Sequence, residues 1–166
     1  MAHTEPQSER QRPRAAGSVV SIHTSPEAAE PMDSLIEVQA LAGAGLVGDR
    51  YFRGLGTYSS DDMTGRQITL IESEALEAAS AETGMAIQPR DSRRNIVTDG
   101  INLNDFVGRE FQVGEVRLRG IELCEPCSHL AQLAGKPMLR SLVHRGGIRA
   151  DILSDGMIRV GDAVEQ

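Results

Sequence analysis

Short apolar runs that alternate with polar residues, broken by glycine roughly every eight to twelve positions, most constrain what this chain can fold into. Residues 18–23, 35–41, 67–71 and 95–98 each alternate as a half-buried strand does. Residues 111–113 and 115–119 flank Gly114 as the arms of a hairpin, and 121–123 follow. Residues 148–153 and 157–160, split by Ser154, Asp155 and Gly156, read as a closing hairpin. The series predicts a mainly β fold, a barrel or sandwich with two or three short helices inserted. The best helix covers 72–82, rich in Ala, Leu and Glu, with Ser73 as its cap and Gly84 as its stop. Shorter helical patterns occupy 130–133 and 137–144, the second opening on Pro137.

Between these elements, 24–34 reads as a loop and 45–50 as a tight turn. The irregular stretch continues to residue 66 with Gly54, Gly56 and Gly65, a length that usually marks a lid or binding loop. We expect the 45–65 loop to border a pocket and be mobile, with Asp49 and Arg50 at its start and Tyr51 and Phe52 as an apolar wall.

A core for 166 residues must come from Val, Leu, Ile and Ala, because the chain has three Phe, two Tyr and no Trp. A net charge of -7 argues against a nucleic-acid or membrane-surface partner, and no apolar run is long enough to span a membrane. Residues 1–17 read as a disordered tail without the apolar centre of a signal peptide, and 18–166 as one domain. Two cysteines in such a chain fit a reducing cytoplasm.

Those cysteines lie together in Cys124-Glu125-Pro126-Cys127, followed by Ser128 and His129. A β-like run over 110–123 precedes them and a helical pattern follows. A thiol at a strand-to-helix junction meets free N–H groups and the positive end of the helix dipole, which favour thiolate. A thiolate serves as nucleophile, sulfur carrier or soft-metal ligand. With His129 and His144 the pair also allows a structural zinc site, and by itself a redox disulfide. Cys124 alone reads as a small buried hydrophobe.

Two basic runs flank the thiol segment in sequence. Arg90, Arg93 and Arg94 stand against one acid, Asp91, while Lys136, Arg140, Arg145 and Arg149 have no acid among them. Paired clusters of this kind suit an anionic small molecule, since arginine grips phosphate with two parallel hydrogen bonds. Arg145-Gly146-Gly147 adds backbone that can approach the same anion closely.

Taken in order, several motifs resemble the MOSC family, the domain found at the C-terminus of molybdenum cofactor sulfurases and in small stand-alone bacterial proteins. They are Gly45-Leu46-Val47-Gly48-Asp49-Arg50, Arg93-Arg94-Asn95-Ile96-Val97, Gly100-Ile101-Asn102-Leu103, Cys124-Glu125-Pro126-Cys127 and Arg145-Gly146-Gly147-Ile148. The resemblance covers 19–164 and implies a closed or partly open β-barrel of the type first seen in pyruvate kinase. It implies a molybdenum-pterin cofactor (molybdopterin) with Cys127 as thiolate ligand to molybdenum or as persulfide carrier. It also implies sulfur transfer, or a molybdenum-dependent reduction of N-hydroxylated compounds. Arg94 and Asn95 match the element that lies along the cofactor and its phosphate, and Asp49 and Arg50 match a second element near the pocket. Tyr51 and Phe52 stand where many relatives carry a histidine. Arg145 and Gly146 complete the expected anion contacts. The expected partners are a cysteine desulfurase or a redox protein. A second class of function is a non-catalytic, zinc-stabilised module, or a sulfur-relay adaptor for a pyridoxal-phosphate-dependent desulfurase.

Overall fold

The computed structural model describes residues 16–52, 63–126 and 140–166. In chain order the elements are β1 (Gly17–Thr24), β2 (Asp33–Leu35), β3 (Glu37–Leu41), β4 (Gly45–Leu46), β5 (Ile68–Glu72) and α1 (Ser73–Thr83). Then come β6 (Ile96–Asp99), β7 (Glu110–Val113), β8 (Val116–Leu123), β9 (Ile148–Ile152), β10 (Gly156–Arg159) and β11 (Ala163–Glu165). Two short 3-10 helices cover Pro89–Ser92 and Leu103–Phe106.

Seven strands close on themselves in the order β1-β11-β7-β8-β9-β5-β6, with β6 returning to β1. The barrel expected from the alternation is therefore present and closed. Closure removes the unpaired edges an open sheet would leave. β2 pairs with β1 outside the ring, and β10, β3 and β4 form a separate three-stranded sheet. The β5–β6 pair is parallel, joined by the α1 crossover.

Strand alternation sorts the apolar residues into two compartments. Ile68, Leu70 and Ile96 point into the barrel and join Leu118, Ile148, Ile158 and Val164 in its core. Their neighbours Ile71 and Val97 point outward beneath α1, against Ala75, Leu76 and Ala79, with Ile87 and Leu142 closing the layer. The core uses Val, Leu, Ile and Ala throughout, with Phe106 and Phe111 its only buried aromatic rings among the described residues.

Four local expectations change. First, residues 148–160 are not a hairpin: β9 pairs with β5 and β8 inside the barrel, whereas β10 pairs with β3 in the small sheet. The link between them is held sideways, by Leu153 N–H on Arg117 O, Ser154 Oγ on Arg117 N–H and Asp155 Oδ1 on Ala42 N–H. Those bonds carry the chain out of one sheet into the other. Second, the 35–41 run breaks at Ile36, which is 82% exposed, so β2 and β3 serve different sheets. Third, Ser73 does not cap α1. Glu72 holds the cap position and makes no cap bond; its carboxylate instead accepts the Leu103 N–H at 2.6 Å. Gly84 does end the helix, left-handed at φ 68° with its N–H on Ser80 O. Fourth, of the expected helix over 137–144, the described part (140–144) is a series of turns; His144 sits at φ 60°, outside any right-handed helix. The 130–133 pattern and residues 53–62 of the long loop lie outside the described residues.

Burial raises the Glu72 pKa, as does repulsion from Glu74 and Asp105, against the lowering effect of the Leu103 N–H. A folded-state pKa above the unfolded one gives stability at low pH that is lost as pH rises through the folded value. Glu72→Gln keeps the acceptor and removes the charge. Thermal melts should show the variant at least as stable as the parent at pH 7, with the difference vanishing below about pH 4. A destabilised variant at pH 7 would show that the charge itself holds the Leu103 turn.

Candidate functional site

Where β6 begins, two adjacent arginines turn their side chains to opposite jobs. Arg93 ends the Pro89–Ser92 turn in the left-handed region, at φ 57°. This conformation is uncommon for a residue with a Cβ. Arg94, 8% exposed, follows in the interior.

Arg94 spends its guanidinium on backbone. Nε donates to Gly146 O at 2.9 Å, Nη2 to Cys124 O at 3.0 Å and Nη1 to Ser92 O at 3.2 Å. One side chain thus ties together the turn before β6, the end of β8 and the turn before β9. Glycine makes the meeting possible. A Cβ on Gly146 would collide with Cys124 O, and one on Gly147 (φ 89°) with Leu70 O. Cys124 N–H also donates to Gly147 O at 2.7 Å. The Cys124 thiol itself is 2% exposed and free, a core residue as expected. Cys127 and His129 lie outside the described residues.

Arg93 points the other way. Nη1 donates to Glu30 O at 2.6 Å, while Nη2 is buried without a hydrogen-bond partner among the described residues. Burial and the neighbouring Arg50 guanidinium push its pKa down to about 10, against Asp49 and Tyr51, which raise it. Arg50 is 8% exposed, 3.4 Å from Asp49 Oδ1, 3.5 Å from Met32 Sδ and 5.0 Å from the Tyr51 ring centroid. Asp49 is occupied by its own turn: it accepts from Ser25 N–H at 3.1 Å and Tyr51 N–H at 3.3 Å. Arg50 therefore shares the Asp49 carboxylate with two amides, and Arg93 feels that carboxylate only at longer range. A buried donor with no acceptor, near a second positive charge, has the chemistry to receive an anion.

The other expected residues take other places. Asn95 stitches the barrel, accepting Thr69 N–H and Oγ1–H on Oδ1 and donating Nδ2–H to His23 O. Arg145 pairs with Glu82 at the end of α1 and donates to Ser141 O. Glu125 grips His144 through both its backbone N–H and Nδ1, at 3.1 and 3.2 Å. Asp49 and Arg50 thus come together with Arg93, and Arg94 with Gly146. The sequence placed Arg93 in a basic run without singling it out, and carried no sign of the buried His23, whose ring lies 2.9 Å from Ser21 Oγ and 3.1 Å from Ser34 Oγ. Nothing in a run of two arginines says which one turns outward. Among the described residues no three His, Cys, Asp or Glu converge as a metal site. No helix among them is long and apolar enough to cross a membrane.

Known proteins place this architecture. The family model described as the MOSC domain matches residues 22–165, and the chain belongs to that family. The fold is similar to that of the YuaD protein from Bacillus subtilis, with a TM-score of 0.76 at 17% identity over 92% of this chain and 96% of that one. YiiM from Geobacillus stearothermophilus gives a TM-score of 0.67 at 15% identity, covering 90% of this chain and 74% of that one. YiiM from Escherichia coli gives 0.66 at 16% identity, covering 90% and 68%. Among curated proteins none matches the sequence significantly.

The two arginines separate in experiment. Arg94→Ala leaves three interior carbonyls without their donor and should cost on the order of 3 kcal/mol or more in denaturant unfolding. Phosphate should raise the melting temperature of the parent but not of Arg93→Ala, whose stability in dilute buffer should be nearly unchanged. The reverse pattern would exchange their roles.

His23 gives a pH test. Burial, with Arg90 adding to it, lowers the His23 pKa. The unfolded chain then binds the proton more readily, so stability is full above the unfolded value of about 6.5 and falls as pH drops below it. His23→Gln should flatten the pH dependence of unfolding between about pH 6.5 and pH 5. An unchanged slope would place that titration elsewhere.

Proposed function

We propose that this protein binds an anionic molybdenum-pterin cofactor, with Cys127 as the thiolate ligand to molybdenum or as the carrier of a persulfide. The MOSC family, to which the chain belongs, is associated with that cofactor. The observation that carries the reading is the buried Nη2 of Arg93, which lacks an acceptor and lies beside a second guanidinium. A phosphate or pterin oxygen supplies the missing acceptor and offsets the repulsion, so the residues present fit the group.

Arg93 would hold the anion, with Arg50 adding charge behind it. Asp49 and Tyr51 fix Arg50 in place, the first by a carboxylate contact and the second by its ring face. Arg94 would orient the thiol segment by holding Cys124 O. The cofactor, when bound, supplies two-electron chemistry at molybdenum, and thiolate is the soft ligand such a metal accepts. The substrates we favour are N-hydroxylated compounds. In the carrier form the sulfur would come from a pyridoxal-phosphate-dependent cysteine desulfurase in the cytoplasm.

Purification from a host that makes the cofactor tests the reading. Molybdenum and fluorescent pterin should co-elute with the parent and with Cys124→Ser, and both should be lost from Cys127→Ser. Arg93→Ala should weaken retention by about 1.5–3 kcal/mol, the range for a charged hydrogen bond. Persulfide on Cys127 without molybdenum would select the carrier form. Stoichiometric zinc, or equal behaviour of the two cysteine variants, would replace this reading with the zinc-stabilised module.

A further inference from the structure

At the far end of β6 from Arg93, the chain leaves the barrel and lines a cleft of about 710 Å³. That volume suits a small organic ligand. Its walls are fixed by side-chain contacts to the backbone and by ring packing. Glu74 Oε1 holds the Gly100 N–H at 2.7 Å, and Glu72 Oε1 holds that of Leu103 at 2.6 Å. Phe106 stacks on Phe111 with ring centroids 4.6 Å apart, and a Cβ on Gly120 would strike the Phe106 carbonyl. The 3-10 turn is thereby pressed onto β8, and Ile101 and Phe106 give the cleft an apolar side.

Two charged side chains share this lining, Asp105 and Arg109. Among the described residues neither pairs with the other, and neither side chain takes part in a hydrogen bond. The neighbouring carboxylates, Glu72 and Glu74, are already committed to backbone amides, so Asp105 is left as the acid that faces a ligand. Opposite charges that line one cleft without closing on each other leave a gap for a molecule that carries both signs.

We propose that this cleft binds a small zwitterion, an α-amino acid with an aliphatic side chain. Its carboxylate lies on Arg109, where guanidinium can offer two parallel N–H donors. Its ammonium lies on Asp105, whose carboxylate lines the cleft. Its side chain lies on Ile101 and Phe106. The site is separate from the Arg93 seat, since the length of β6 divides them, and it stands whether or not the cofactor reading holds.

Titration of the isotope-labelled full chain with L-leucine to roughly 10 mM, followed by amide NMR, tests the idea. Saturable shifts are expected at Ile101, Asn102, Asp105 and Gly108. The carboxylate analogue 4-methylpentanoate and the amine analogue 3-methylbutylamine should each bind about tenfold more weakly or worse. Arg109→Gln and Asp105→Asn should weaken leucine to a similar degree; both positions are exposed, and unchanged β-strand resonances would show that the variants fold. Absence of saturable shifts overturns the proposal. So does 4-methylpentanoate binding as well as leucine, which would leave Asp105 without a role, and so do shifts that cluster around Arg93 instead.

Discussion

A guanidinium taken out of water needs acceptors, and in this fold Arg94 finds them in three separate turns. Its bonds to Ser92 O, Cys124 O and Gly146 O make the start of β6, the end of β8 and the start of β9 a single unit. β8 and β9 are already neighbours in the barrel, but β6 is two strands away, across β5. Arg94 therefore braces one end of the barrel where no backbone ladder can. The absence of a side chain at Gly146 and Gly147 lets the return turn come close enough to be braced, and Leu70 O fills the space a Cβ would take. The charge is tolerated because each nitrogen faces a carbonyl dipole rather than a void.

That brace determines what Arg93 can do. With Arg94 turned inward, the residue before it must reverse, and the left-handed φ at Arg93 performs the reversal. Its side chain then emerges near Arg50, whose own carboxylate partner, Asp49, is shared with two amides. Placing like charges together in a half-buried position costs stability, and strain of this kind concentrates at functional sites. The basic run visible in the sequence thus resolves into one structural cation and one that still has a donor to offer.

Most strands were legible because their signal is local. Alternation over β7, β8 and β9 follows directly from one face meeting the core, and Gly114 marks the β7–β8 turn by a backbone conformation few residues adopt. The family was legible too, through the order of its motifs. Pairing was less so. Residues 148–160 have the pattern of a hairpin, yet β10 leaves for β3 because Asp155, Ser154 and Leu153 find partners on other segments, which a local pattern cannot encode. Ser73 has the right chemistry for a cap, but Glu72 takes the position and directs its carboxylate to a turn thirty-one residues away. Arg93, Arg94 and Asn95 all lie in the motif the sequence marks, and only the structure shows that the unpaired donor among them belongs to Arg93. Side-chain direction at a turn depends on one dihedral angle, and composition carries no trace of it.

The two ends of β6 differ in how an acidic protein distributes charge locally. The chain carries a net charge of -7, so its far field repels negative ligands. Beyond roughly 10 Å, however, salt screens that field, and what acts on a ligand is the set of groups within a few ångströms. At the Arg93 end those groups are two guanidiniums with their one carboxylate already bonded. At the other end Glu72 and Glu74 accept from the backbone of the Gly100–Leu103 turn. Acids that satisfy amides are partly neutralised as neighbours, because each carboxylate oxygen is matched by an N–H dipole. The barrel thus keeps its negative charge where it is bonded or solvated, and leaves its positive charge unmatched at Arg93. Local pairing, and not net charge, determines which sign of ligand that end of the barrel can hold.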